Sequence, residues 1–551
     1  MVIQTCAKGV QRIENHSLFL YSSHQAERKI TLDIWMTLKK AVDFFPNKTA
    51  VVDGQRVFTY TQIWDRVSAL ARFFQVQAIK PEDRISILEI NSHVFLETYY
   101  AAAGIGAILN PINYRLAPKE IAYILEDAGS RWLIANTQFA PQVRDTLQEE
   151  TSLEGIIWIG ESVSIEGQLP FHRYETAVDN HQGHFEPAAI QEDDIAHLYY
   201  TSGTTGRPKG VMLTHKNVWL HALGTIAELK LVDSDTWGHI APMFHLADAW
   251  ATFAITWVGG SHVMVGQFDA VAVMATIENE RITLSNLIPT MLNLMIKHPK
   301  AGEFDFSSLR VILSGGAPIA PEVVKRITET FGCDYIQTYG MTETSPYLTF
   351  SILKQHLQGL TPEEQLKYKS KTGRPFLGIE LKVVTENGNC VIADEQQVGE
   401  IWVRGDTVTP GYWHLPEETE QSFSDGWLRT GDLAVVDSEG YVNIVDRKKD
   451  MIVTGGENVY STEVENVLYM NPKILEAAVF GVPDEKWGEA VQAAVVLRDN
   501  ESATEAEIIQ FCKQHQAAFK APKAVVFLKE LPKTGSGKIY KKALRDPYLA
   551  K

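Results

Sequence analysis

The sequence predicts an α/β protein: a large N-terminal domain of helix-covered parallel sheets with a β-rich subdomain, followed by a small α+β C-terminal domain. Three patterns carry that prediction. Helical periodicity alternates with short β-rich runs over 32–133 and again over 197–331. Closely spaced strands and turns fill about 371–440, and the charged run Asp446-Arg447-Lys448-Lys449-Asp450 precedes a stretch long enough to form a domain of its own.

In the first region Trp35, Leu38, Ala41 and Val42 recur at helical spacing, while 49–52 and 84–88 read as strands. In the second, 311–313 reads as a strand that passes through a Gly/Pro turn into a helix over 321–330. Strands that alternate with helices in this way form parallel sheets covered on both faces. The β-rich region holds strand signals at 380–384, 399–403 and 433–436, and Asn387-Gly388 is a hairpin signal.

The 551 residues suggest three or four domain-sized units from length alone, without internal repeats or low-complexity tracts. With 51 Lys+Arg against 68 Asp+Glu, the net charge of −17 argues against a nucleic-acid or anionic-membrane binder, so any anionic ligand needs local positive charge. Cys6, Cys333, Cys390 and Cys512 lack paired spacing, which suits a reducing compartment better than a zinc site or a disulfide framework. The apolar runs 101–109 and 249–260 are too short to span a bilayer, and Lys8, Arg12 and Glu14 interrupt any secretory h-region. A cytoplasmic protein with no leader and no membrane span is expected.

The chemistry starts at Thr201-Ser202-Gly203-Thr204-Thr205-Gly206-Arg207-Pro208-Lys209, between the strand signals 195–198 and 211–213. Glycines expose backbone N–H groups, hydroxyls add donors, and Arg207 and Lys209 add charge; together these suit a polyphosphate. An isolated Ser/Thr/Gly cluster is ordinarily a solvated turn. A P-loop is excluded because Pro208 stands where its second glycine belongs, which disfavours a P-loop kinase or ATPase.

This segment resembles the signature loop of the adenylate-forming superfamily, which contains acyl-CoA synthetases, nonribosomal peptide adenylation domains and firefly luciferases. The resemblance extends over nearly all of the chain after about residue 30, through motifs in the family's order. It implies an N-terminal adenylation domain over 31–446, a hinge at 447–450 and a mobile C-terminal lid over 451–551; no role is assigned to 1–30. It also implies an ATP-dependent, AMP-forming acid–thiol ligase.

The same resemblance implies a role for each matching motif. Thr201, Ser202, Gly203, Thr204, Thr205, Gly206 and Lys209 would hold the phosphates. Gly315-Gly316-Ala317-Pro318 would form one wall of the adenine pocket, and Tyr339, ahead of Gly340 and Met341, would stack on adenine. Thr342 would contact the α-phosphate, and Glu343, with Thr204, would hold magnesium. Asp432 would bind the ribose hydroxyls, and Arg447 the ribose and phosphates. Lys538, in the loop 533–538, would reach the α-phosphate and the carboxylate. Lys449 would be the pivot, with Gly455, Gly456 and Glu457 facing the pantetheine of coenzyme A. Asp446 stands where relatives carry aspartate or glycine and decides little.

Taken singly, several of these residues have blander readings: Asp432 as a turn residue, Arg447 and Lys538 as solvated charges, His245 as a core histidine. Their joint presence also argues against a catalytically dead scaffold. The family pattern sets Phe244 and His245 beside the acyl carboxylate, and the apolar run 250–260, although chiefly core, suggests a passage for an aliphatic chain. A medium- or long-chain fatty acid is the expected substrate, with an aryl acid as the alternative. No phosphopantetheine attachment pattern stands at the C-terminal end, so a separate thiol is expected. Coenzyme A is the default acceptor, a discrete acyl carrier protein the rival, and a homodimer is left open.

Overall fold

Two large sheets organise the N-terminal part of this computed structural model, which describes residues 32–161, 163, 169–201, 207–316, 319, 321–533 and 539–549. The seven-stranded sheet runs Phe171–Arg173, Gly155–Ile159, Ser130–Asn136, Arg84–Leu88, Ile108–Pro111, Ile195–Thr201 and Lys209–Thr214. All its neighbours are parallel except the last pair, which is antiparallel. The nine-stranded sheet has a parallel interior, Asp334–Gly340, Val311–Gly315, Leu284–Asn286, Thr236–His239, Ser261–Met264 and Thr49–Asp53. Its edges, Arg56–Thr59 on one side and Tyr347–Phe350 with Arg374–Pro375 on the other, are antiparallel. The expected parallel sheets thus carry antiparallel margins: short connections return the chain over 49–59, 201–209 and 340–347, whereas Arg374–Pro375 reaches its edge after helix Pro362–Lys369.

The central helices are apolar around their whole circumference, as burial on every side requires. Every residue of His93–Ile105 is buried, as are Leu246 and 248–256 of Leu246–Val258. Their rings interlock, with Tyr99 and Tyr100 at 5.5 and 5.8 Å from Phe253. The run 249–260 is therefore chiefly core.

The third sheet is antiparallel, built from Ile379–Val384, Gly399–Gly405, Trp427–Val436, Phe423–Ser424 and Val442–Arg447. It runs seven residues past the expected end at 440, because Val442–Arg447 pairs with Trp427–Val436. Asn387-Gly388 does turn the chain, with Gly388 at φ 81° and a bridge between Val384 and Cys390, but the paired strand begins only at Gly399.

The fourth sheet starts at Ile452–Thr454 and, with helices Ser461–Tyr469 and Glu505–His515, encloses a core of its own around Val464, Val479, Ala493 and Ile508, while helix Lys541–Leu549 packs on a second cluster around Ala478 and Phe480. Residues Leu32–Lys551 nonetheless form one compact unit. Cys333, Cys390 and Cys512 are free thiols, and no helix among the described residues is long and apolar enough to cross a membrane.

A charged network joins the first strands to the helices beside them. His93 bonds Asp53 at 2.5 Å and lies 3.8 Å from Glu175, while Arg66 pairs with Glu97 and Glu175 at 2.6 and 2.8 Å. Burial disfavours the imidazolium, yet the bonds to Asp53 and Glu175 and the nearby Glu97 outweigh it and push the His93 pKa up to about 9 from 6.5. The stabilisation this provides is complete below pH 6.5 and is lost as the pH rises through about 9. The folded state should lose on the order of 2 kcal/mol across that window. Denaturant titrations at several pH values should show the slope in the wild type and a flatter one in His93→Gln.

Candidate active site

The site lies at the carboxyl ends of parallel strands, where open α/β sheets form their ligand crevices. Thr201 closes its strand, and Lys209 opens the next and pairs with Thr201 across the ladder. Residues 202–206, between them, lie outside the described residues, as do Ala317, Pro318 and Lys538. The flanks of that loop are held from helix Pro118–Ala128: Tyr200 donates to Asp127 at 2.5 Å, and Tyr123 donates to the Pro208 carbonyl at 3.4 Å.

Lys209, Glu343 and Tyr412 form the first cluster. Glu343 sits in the short turn Thr342–Thr344, just past the nine-stranded sheet, and is 6% exposed. Its Oε1 accepts the Tyr412 hydroxyl at 2.8 Å, and its carbonyl accepts the Thr409 amide at 2.8 Å. Burial raises its carboxyl above the ordinary 4.5, against the lowering effects of the Tyr412 bond and the Lys209 charge. Lys209 forms an ion pair with Glu418 and lies 5.5 Å from the Tyr412 ring. A single carboxylate suits magnesium, which keeps several waters and binds through one or two carboxylates together with substrate phosphates. No cluster of three or more His, Cys, Asp or Glu able to cage an ion occurs among the described residues.

Tyr339, Asp432 and Arg447 form the second cluster. The Tyr339 hydroxyl donates to Asp432 Oδ2 at 2.6 Å, and Arg447 Nε lies 3.6 Å from Asp432 Oδ1, on strands that pair these two residues. Burial, followed by the Asp432 charge, lifts the Tyr339 phenol well above its ordinary range. Gly315 ends the neighbouring strand beside Thr338, and Gly316 follows at φ 85°. Gly340 admits no side chain, since a Cβ there would come within 1.8 Å of the Pro346 carbonyl oxygen. Met341 and Thr342 continue directly into the turn that carries Glu343.

His245 is half-buried and caps helix Leu246–Val258, its Nδ1 accepting the Ala247 amide at 3.2 Å. In the neutral ring this puts the proton on Nε2. Phe244 packs edge-on against Tyr114 at 5.1 Å.

The remaining expected residues stand farther along the chain. Lys449 lies in the turn after Val442–Arg447, where burial, then Arg447, lowers its pKa. Gly455 and Gly456, both at positive φ, turn a hairpin into Glu457–Val459, and the Gly455 amide donates to the Trp487 carbonyl at 2.8 Å.

Sequence reasoning missed Tyr412, Glu418 and Asp127, because each meets its partner across a long stretch of chain. It also gave Asp446 no task. That carboxylate holds the first turn of helix Ser461–Tyr469, accepting the Ser461 amide and, at 2.9 Å, its hydroxyl.

Residues 38–413 match the AMP-binding enzyme family, and residues 463–538 match the AMP-binding enzyme C-terminal domain. The chain belongs to this family. It is a member of the ANL superfamily, an AMP-forming acid–thiol ligase that acts on a carboxylic acid. A 4-hydroxybutyrate–CoA ligase of Metallosphaera sedula is 35% identical over 93% of this chain and 94% of its own. A feruloyl-CoA synthase of an Amycolatopsis species is 35% identical over 91% and 96%. A long-chain-fatty-acid–CoA ligase of Thermus thermophilus is 34% identical over 94% and 96%. The crystal structure of the anthranilate CoA ligase AuaEII with anthranoyl-AMP superposes with a TM-score of 0.84 at 28% identity, covering 94% of this chain and 98% of the other. These AMP-binding enzymes divide between aromatic and aliphatic acids.

The Tyr412 bond lowers the Glu343 pKa, so its removal should raise it. In Tyr412→Phe, the acid limb of the pH–rate profile for pyrophosphate release should move upward by up to about one pH unit. Profiles measured at saturating ATP and acid check this.

Proposed function

We propose that this AMP-binding enzyme joins a compact, aromatic carboxylic acid to coenzyme A. The observation that carries the reading is a layer of rings on and beside helix Leu246–Val258, the helix that His245 caps. Trp250, 1% exposed, lies 4.9 Å from Trp237, 5.5 Å from Tyr347 and 6.1 Å from His221, and His221 stacks on Phe376 at 5.2 Å. Rings so interlocked, each at most 3% exposed, fill the space behind His245 and obstruct a long aliphatic passage, which favours a short, flat acid. The similarity to the feruloyl-CoA and anthranilate ligases supports the same choice. A fatty acid is the second reading, supported by the similarity to the Thermus ligase.

The proposed reaction has two steps. A carboxylate oxygen attacks the α-phosphorus of ATP, an O–P bond forms, the α–β bridge breaks and pyrophosphate leaves. The sulfur of coenzyme A then attacks the acyl carbon as a thiolate, forming the thioester and expelling AMP. Repulsion between the carboxylate and the phosphates opposes the first step, and preorganised cations and donors relieve it. Lys209, Lys538, Thr342 and the loop 201–206 would fill that role, with Tyr339, Gly315 and Gly316 against adenine and Asp432 and Arg447 at the ribose. Glu343 and Thr204 would hold magnesium, which when bound neutralises phosphate charge. His245 would donate Nε2–H to the acid. Rotation about Lys449 would then bring Gly455, Gly456 and Glu457 to the pantetheine.

A screen of AMP release with benzoates, cinnamates and fatty acids of graded length tests the substrate. Aromatic acids should exceed the long-chain acids in kcat/KM by about ten-fold or more, the scale of a few pocket contacts; preference for the long chains would refute the aromatic reading. Lys538→Ala should lose about 10²-fold or more in pyrophosphate exchange, as expected for one preorganised charge donor.

A further inference from the structure

The segment that carries Phe244 and His245 is irregular, and its peptide groups are nearly all hidden: Ile240, Ala241 and Met243 are at most 3% exposed. Buried peptide groups outside a ladder need side-chain partners. Asn91 provides three of them. It lies just past Arg84–Leu88 of the other large sheet and is 5% exposed. Its Nδ2 donates to the carbonyls of His239 and Ala241, both at 2.8 Å, and its Oδ1 accepts the Met243 amide at 2.7 Å. Aspartate lacks the two donors, and an aliphatic side chain of that size lacks all three groups.

Tyr99 holds the same segment from the central helix. Its hydroxyl donates to the Met243 carbonyl at 3.1 Å and shares a 2.6 Å hydrogen bond with the hydroxyl of Tyr199. Tyr199 is fixed independently by its strand ladder, opposite Val211, whereas 241–245 has no ladder. Loss of Tyr99's hydroxyl is therefore felt chiefly on the side of His245.

We propose that Asn91 is a positioning residue for the acid substrate: it clamps 239–243 so that His245 meets the substrate carboxylate at a fixed place, with Tyr99 as the second clamp. The inference rests on the reading of Phe244 and His245 as the carboxylate end of the acid pocket. Asn91 bonds no residue of the nucleotide-side clusters, and Tyr99 meets that side only through Tyr199, which its own ladder holds, so each acts on acid recognition more than on ATP. Small displacements of an aligned group cost rate and affinity steeply.

The test measures KM for the acid and for ATP separately, with kcat and thermal midpoint, in Asn91→Ala, Asn91→Asp and Tyr99→Phe, using the best acid from the screen. Losing two or three hydrogen bonds should raise the acid KM by about ten-fold or more in the Asn91 variants and about three-fold or more in Tyr99→Phe. The ATP KM should stay within about two-fold. If the Asn91 variants do not fold, Tyr99→Phe, which keeps its ring packing, decides alone. An unmoved acid KM, or equal rises in both KM values, overturns the proposal. An acid KM and kcat unmoved in His245→Ala would refute the parent reading instead, whatever the clamp variants do.

Discussion

A carboxylate taken out of water has to be given partners, and Glu343 takes its partners from three regions of the fold. The Tyr412 hydroxyl reaches it from the connection between Gly399–Gly405 and Phe423–Ser424 of the third sheet, Lys209 acts on it from the edge of the seven-stranded sheet, and its own backbone continues the nine-stranded sheet. Thr409 fastens the same residue through its carbonyl. The three sheets are thus brought to one point by the needs of a single buried charge.

On the proposed reading the site also accepts polyanions, in a chain of net charge −17. Its cations are accordingly matched one by one, Lys209 with Glu418 and Arg447 with Asp432. These pairs hold the basic side chains in place before any ligand arrives, and they temper the local field. On that reading, a nucleotide would exchange partners with basic groups already held in place, Lys209 largely buried and Arg447 half-exposed, at a smaller cost than that of ordering free side chains.

How much of this was legible depended on how far apart the interacting residues stand. The glycine- and hydroxyl-rich loop, Gly315-Gly316, Tyr339 to Glu343 and the run 446–450 are short strings that can be matched to the family's motifs within a few residues. The alternation of strand and helix likewise announced the α/β layers. What escaped were pairings made by folding: Tyr412 finds Glu343 across 69 positions, and Asn91 finds Met243 across 152. The antiparallel edges and the extra strand after 440 were hidden for the same reason. The aromatic layer read as a mere hydrophobic run because its rings come from Trp237, Trp250, Tyr347 and Phe376, which meet only in three dimensions.

The capping of Leu246–Val258 by His245 has a consequence for selectivity. A ring nitrogen that accepts a first-turn amide is held in one orientation at the end of a thirteen-residue helix, and the helix dipole places partial positive charge at that end. On the proposed reading, the acid meets a neutral imidazole backed by a fixed dipole. Such an entrance discriminates by charge state: it welcomes the anion, while the corresponding amide or ester, alike in shape, finds little there to hold it.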